Sequence, residues 1–192
     1  MKKINVGCGL DIKPKSKGWI NLDQHDKNGA DVIFNLDELF KKGGKMPFPD
    51  NHFDYVYCSH VLEDFIEPMV LIKEFIRICK IGGRIELRAP FEPNLHLTNI
   101  HHKIPFTLFK FRSIVRDQKT YGRNYPLKIE TLCYYNDKNR GRIYNLFSYM
   151  IESFYNGLSY KIVERTFIKY LFAFVNCRVV YRKLPKKGGE KL

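Results

Sequence analysis

The sequence predicts an α/β protein built on a doubly wound, mostly parallel sheet, and three observations carry that reading. Short apolar runs recur, each bounded by Gly, Pro, Asp or Asn. A strongly periodic helical segment lies between two of them. A glycine turn closes the first run and an acid closes the second.

Taken in order, Ile4-Asn5-Val6 is the first strand and ends at Gly7-Cys8-Gly9, and Trp19-Ile20-Asn21-Leu22-Asp23 is the second. Residues 30–34, 53–58 and 84–89 supply three more. Before the last of these, Pro68 suits a first helical turn, and Met69, Ile72, Ile76 and Cys79 recur at helical spacing. Gly82-Gly83 is expected to stop that helix. Strand, crossover helix and strand in this order form the unit of a Rossmann-like sheet, which binds ligands beyond the carboxyl ends of its strands. Residues 177–184 read as a late strand and edge partner of the fifth. Phe147, Met150, Ile151, Phe154 and Leu158 trace one helical face, and Phe167, Leu171, Phe174 and Val175 another, so a helical C-terminal decoration is expected.

Composition bounds the rest. At 192 residues one domain is expected over 1–184, with a basic, flexible tail at 185–192. No apolar run approaches the roughly 18 residues of a membrane span, and the start does not resemble a signal peptide. Cys8, Cys58, Cys79, Cys133 and Cys177 are far apart, without a C-x-x-C pair, and read as reduced thiols of a cytoplasmic protein. The net charge of +13 suits RNA, an anionic surface or an acidic small molecule and selects none of them. A general compositional richness in Lys, Ile, Asn, Tyr and Phe is an equally good account of the same excess.

The glycine turn lets backbone approach a ligand, and Asp23 at the end of the second strand is placed to accept hydrogen bonds from a ribose diol. A dinucleotide site needs a third glycine opening a helix and an acid about twenty residues on. Here Asp23 follows Gly9 by 14 residues, with Asp11, Lys13 and Pro14 between. The P-loop string is absent too, which favours a ligand without phosphates over NAD or ATP.

Four ordered blocks then carry a family resemblance: Val6-Gly7-Cys8-Gly9; Gly18-Trp19-Ile20-Asn21-Leu22-Asp23; Pro47-Phe48-Pro49-Asp50 with Phe53-Asp54 and Ser59-His60-Val61-Leu62-Glu63; and Glu74, Arg77, Lys80, Gly82 and Gly83. From Ile4 to Pro90 the chain resembles the class I S-adenosylmethionine-dependent methyltransferase superfamily, in a short variant similar to type 11 domains with a shortened first crossover. The resemblance implies a donor-binding half at 1–90 and an acceptor-side half at 91–184. It implies that S-adenosylmethionine meets Gly7, Cys8 and Gly9 at its methionine end, Asp23 at the ribose, Asn35, Leu36 and Asp37 at the adenine, and Ser59 and His60 at the sulfonium. Asp64 and Ile81 depart from the pattern, which more often has His and Pro there.

Methyl transfer gains most from alignment and exclusion of water, so a catalytic base is optional. The loops after the fourth and fifth strands offer His60, Glu63, Asp64, Glu92, His96, His101 and His102. We expect His101 or His102, before Phe106-Thr107, to serve if a base is used. Glu63 and Asp64 are expected to cap the following helix. No metal is expected, because His96, His101 and His102 lack both the i,i+4 spacing of a helical pair and a fixed Cys or carboxylate partner. The methyl acceptor is unassigned. A non-catalytic module that binds RNA, an anionic surface or a partner protein is the alternative from another class. An NAD-dependent oxidoreductase is disfavoured by the spacing.

Overall fold

In the computed structural model, the structure describes residues 1–26, 29–91, 100–116, 125–135, 156–157 and 176–185. Among these, β1 (Lys3–Val6), β2 (Trp19–Asp23), β3 (Val32–Ile33), β4 (Phe53–Ser59), β5 (Cys79–Pro90), β6 (Leu127–Tyr135) and β7 (Asn176–Lys183) form one sheet, ordered β3-β2-β1-β4-β5-β7-β6. The first five strands pair in parallel, and β7 runs antiparallel to both β5 and β6. Helix α1 (Pro68–Ile78) packs on β5, and α2 (Leu108–Arg116) packs on β6 and β7. The architecture is the Rossmann-like, mostly parallel sheet that the sequence predicts.

β1 occupies the centre of the parallel portion, between β2 and β4, with Ile4 and Val6 fully buried. Strand pleating turns Asn5 to the opposite face, where it is also buried. That face explains the short first crossover. Between β1 and β2 the chain makes only a 3-10 turn, Lys15–Lys17, which leaves much of its backbone without internal partners. Asn5 Nδ2 donates to the Asp11 carbonyl at 2.7 Å. Asn21 grips Lys13 twice, donating to its carbonyl and accepting from its amide, each at 2.9 Å. Two buried asparagines thus replace the hydrogen bonds of a helix.

Several sequence expectations change. The third strand shrinks from 30–34 to Val32–Ile33, because the Asp31 carboxylate turns back to the Asn21 amide at 2.8 Å and to Lys15 at 2.5 Å. The helix ends at Ile78 rather than at the glycine pair, since Cys79 is already extended and begins β5. Phe53 pairs with Cys79 but Tyr55 pairs with Arg84, so residues 80–83 bulge out of the ladder. Gly82, at φ 80°, and Gly83 serve that bulge. A Cβ on Gly83 would lie 2.8 Å from Cys79 Sγ and 3.0 Å from the Asp54 carbonyl. The late strand spans 176–183 and lies inside the sheet, because β6, which the sequence reading missed, takes the edge position beyond it. The helical faces at 147–158 and 167–175 lie outside the described residues, as does 186–192 of the expected tail.

The E-x-x-R block of α1 is structural. Glu74 accepts from the Met46 amide at 2.6 Å, while Arg77 reaches Glu74 at 2.6 Å and Asp50 at 2.6 Å, tying the segment before β4 onto the helix. Lys80 closes on Asp54 at 2.7 Å.

Glu86 is a buried charge of the outer sheet, 2% exposed on β5 and held by Arg178 from β7, by Arg88 and by the Tyr55 hydroxyl. Burial alone would push its carboxyl up; the Arg178 bond, the Tyr55 hydroxyl and Arg88 outweigh that and hold it below the usual range. The group is harder to protonate folded than unfolded, so its contribution is full above the ordinary carboxylate range and drains away as pH falls through the folded value. Glu86→Gln is expected to cost about 3 kcal/mol in urea unfolding at pH 7, with the gap to wild type narrowing in acid. An equal gap at all pH values would contradict this account.

Candidate functional site

The carboxyl ends of β1, β2 and β4 converge on a cavity of about 460 Å³, in the size range of small-molecule sites. Gly7 and Gly9 form its first wall, both with positive φ (66° and 48°). A Cβ on Gly7 would strike Val61 Cγ2 at 2.4 Å, whereas one on Gly9 would meet nothing within 4 Å and would project into open space. The amides of Gly7 and Cys8 both donate to the Leu22 carbonyl, at 2.8 and 3.1 Å, which draws the turn against the end of β2. There Asp23 accepts from the Gly9 amide at 2.8 Å through Oδ2 and from the His25 amide at 3.0 Å through Oδ1. Each oxygen keeps further acceptor capacity toward the cavity that Asp23 lines.

Phe34, Asn35, Leu36 and Asp37 form the next wall, at the start of a 3-10 turn (Leu36–Phe40). Asn35 Oδ1 caps that turn, accepting from the Asp37 amide at 2.9 Å. Phe65 closes the side, its ring stacked on Phe40 with centroids 5.6 Å apart.

The remaining wall follows β4. His60 lines the cavity in a left-handed backbone conformation, φ 55°, which a non-glycine residue rarely adopts. After it, the 3-10 turn Leu62–Asp64 carries Glu63 inward, and both of its carboxyl oxygens are buried without a hydrogen bond. His60 Nδ1 lies 3.5 Å and His102 Nε2 3.9 Å from Glu63 Oε1. Glu63 therefore does not cap α1, whose N-cap position is Glu67, without a side-chain cap bond. Asp64 lines the cavity, and burial, then the charge of Glu63, raises its pKa, against His102, His101 and Lys103. The Glu63 carbonyl accepts from the Lys103 and Ile104 amides at 2.7 and 3.2 Å, which docks the 100–104 segment and brings Lys103 to the cavity.

Of the residues singled out for a donor, Gly7, Gly9, Asp23, Asn35, Leu36, Asp37 and His60 line one cavity. Cys8 and Ser59 do not. The Cys8 thiol is buried, and desolvation, followed by the charge of Asp23, pushes it up to about 11. His102 faces Glu63 rather than the cavity, and His101 is exposed. Glu92 and His96 lie outside the described residues. Sequence reasoning missed Lys103, Phe34 and Phe65 as lining. It also missed Glu63 as a buried charge, although its i,i+3 spacing from His60 was visible. Among the described residues no His, Cys, Asp and Glu group is arranged to hold a metal, and no helix is long and apolar enough to cross a membrane.

A parallel sheet in which an acid at the end of β2 faces a glycine turn, at the point where strand order reverses, is the arrangement of the class I S-adenosylmethionine-dependent methyltransferase fold. Residues 5–87, less than half of the chain, match a family model described as "Methyltransferase domain". Demethylmenaquinone methyltransferase of Listeria welshimeri is 29% identical over 87 residues, which cover 45% of this chain and 35% of the relative. The chain thus matches about a third of the length of such curated relatives. Among solved structures, the methyltransferase bound to the Haloferax volcanii Trm112 methyltransferase activator superimposes with a TM-score of 0.61 at 16% identity, covering 98% of this chain and 84% of that one. A SAM-dependent methyltransferase from Archaeoglobus fulgidus gives 0.55 at 16% identity, covering 95% and 86%. At such identities the likeness is one of fold.

The two glycines of the turn separate experimentally. Gly7→Ala adds a clash to a left-handed backbone and is expected to cost about 3 kcal/mol, part of which Val61→Ala restores. Gly9→Ala carries only the backbone cost, about 1–2 kcal/mol. Urea unfolding of the three variants checks the order.

Proposed function

We propose that the chain transfers a methyl group from S-adenosylmethionine to an acceptor presented from its C-terminal half. The observation that carries this reading is the coincidence of one cavity with the glycine turn, Asp23 and His60, all within the stretch that matches the methyltransferase family. The residues fit such a donor. Asp23 offers paired acceptor oxygens to a ribose diol. The Phe34, Leu36 and Phe65 side chains suit an adenine, with Asn35 and Asp37 at its edge. The space beyond Gly9 admits the amino-acid end, with the backbone of Cys8 in the same turn. When bound, S-adenosylmethionine supplies an electrophilic methyl carbon on a sulfonium, and His60, with Ser59 before it, stands beside β4 on that side.

On this reading residues 1–90 bind the donor and 91–184 hold the acceptor within one domain. Demethylmenaquinone, named for the relatives, is one acceptor to try, but the shared segment lies in the donor half.

Calorimetric titration with S-adenosylhomocysteine tests the reading, with NADH as control. Micromolar binding of the first alone is expected. Asp23→Asn should weaken it by about tenfold to a hundredfold, on the order of 1.5–3 kcal/mol, and Gly9→Ala should weaken it in a folded protein. Absence of binding, together with salt-sensitive RNA binding, would replace the enzyme by a binding module.

A further inference from the structure

Glu63 is a buried carboxylate whose surroundings do not account for it structurally. It is 1% exposed, neither oxygen has a hydrogen bond, and it is approached by imidazoles from two separate segments. Desolvating a carboxylate without compensation costs several kcal/mol. Docking the 100–104 segment does not require this side chain, because the Glu63 backbone carbonyl already holds Lys103 and Ile104. The carboxylate also disturbs its neighbours. Its charge adds to burial in raising the Cys58 thiol at the end of β4, and adds to burial in raising Asp64.

His60 is the neighbour through which Glu63 reaches the cavity. Its amide is fixed to the Arg88 carbonyl at 3.0 Å, its backbone is held at φ 55°, and its side chain is 40% exposed where it lines the cavity. Nδ1 is the nitrogen turned toward Glu63. Closing this gap to hydrogen-bond distance fixes the proton on Nδ1 and leaves the other ring nitrogen as the proton acceptor. Distances of 3.5–3.9 Å are those of a pair that tightens when the ring gains charge.

We propose that His60 is the proton acceptor for the incoming nucleophile, with Glu63 as its positioning residue and His102 as the second imidazole that faces this carboxylate from the docked 100–104 segment. This rests on the donor reading above and deepens it: the acceptor is a nucleophile carrying a dissociable proton, such as a hydroxyl. As the nucleophile bonds the methyl carbon, its hydrogen passes to His60, its bonding pair stays on the nucleophilic atom, and the C–S pair remains on sulfur. The sulfonium charge lost is matched by the imidazolium charge gained, beside Glu63. The other groups facing this cluster are Asp64 on the turn, Cys58 on β4, and His101 and Lys103 on the docked segment. Asp64 and Lys103 line the same cavity.

The test needs no acceptor. The ring of His60 is followed by NMR across pH in the full chain, assigned with His60→Gln, and compared in Glu63→Gln. Its titration midpoint is expected to fall by about one pH unit in Glu63→Gln, while His101→Gln leaves it in place. S-adenosylhomocysteine affinity should change less than twofold in Glu63→Gln. If that variant does not fold, Glu63→Met, of similar volume and uncharged, should show the same fall. An unmoved His60 midpoint overturns the pairing even if S-adenosylhomocysteine binds. A moved midpoint without binding upholds the pairing and overturns the donor reading.

Discussion

The amides of Gly7 and Cys8 share one acceptor, the carbonyl oxygen of Leu22, and the site is arranged around that junction. It ends β1 against the last turn of β2, so Gly9 N–H arrives within 2.8 Å of Asp23. Because β1 pairs with β2 on one side and β4 on the other, the same junction opens the crevice between their carboxyl ends. A residue with a side chain at Gly7 would push this turn off Val61, and with it the segment that carries His60 and Glu63.

The short crossover shows how such a junction survives without its usual helical support. A helix between β1 and β2 would satisfy its own backbone and cover one sheet face. Here Asn5 and Asn21 do the first task from within the strands, and Trp19, Tyr55 and Tyr57 lie on the second. Edge-to-face contacts of Trp19 with Tyr55 and Tyr57, and cations of Lys3 and Lys13 over the Trp19 and Tyr57 rings, fill a surface where aliphatic packing is otherwise expected. An Asn in a central strand looks like a defect in a sequence, and here it is the mechanism of the shortening.

The parallel strands were legible because β1, β2 and β4 are apolar runs with sharp turn residues at their ends, and local chemistry sets those limits. The end of α1 was not, because the helical spacing runs through Cys79 while pairing with Phe53 claims that residue for β5. β6 was hidden because Leu127-Lys128-Ile129-Glu130 alternates only briefly before a register shift at 129–131. Gly7, Gly9, Asp23 and His60, which line the cavity, were visible as motif positions. The inward turn of Glu63 was not, since an acidic pair before a helix reads as a cap and only tertiary packing swings one of the two into the interior. For the same reason His101 and His102 looked equivalent, yet one ring is exposed and the other points at a buried carboxylate.

The position of β7 has a consequence for synthesis. Among the described residues β6 is joined to the sheet through β7 alone, yet residues 136–175 separate the two in the chain. While a ribosome is still making that interval, the outer edge of β5 and the whole of β6 present unpaired backbone, the kind of edge that recruits other chains. The methyltransferase-like portion can therefore assemble early around β1, but the nascent protein remains prone to mispairing until residues 176–183 have emerged to fill the slot between them.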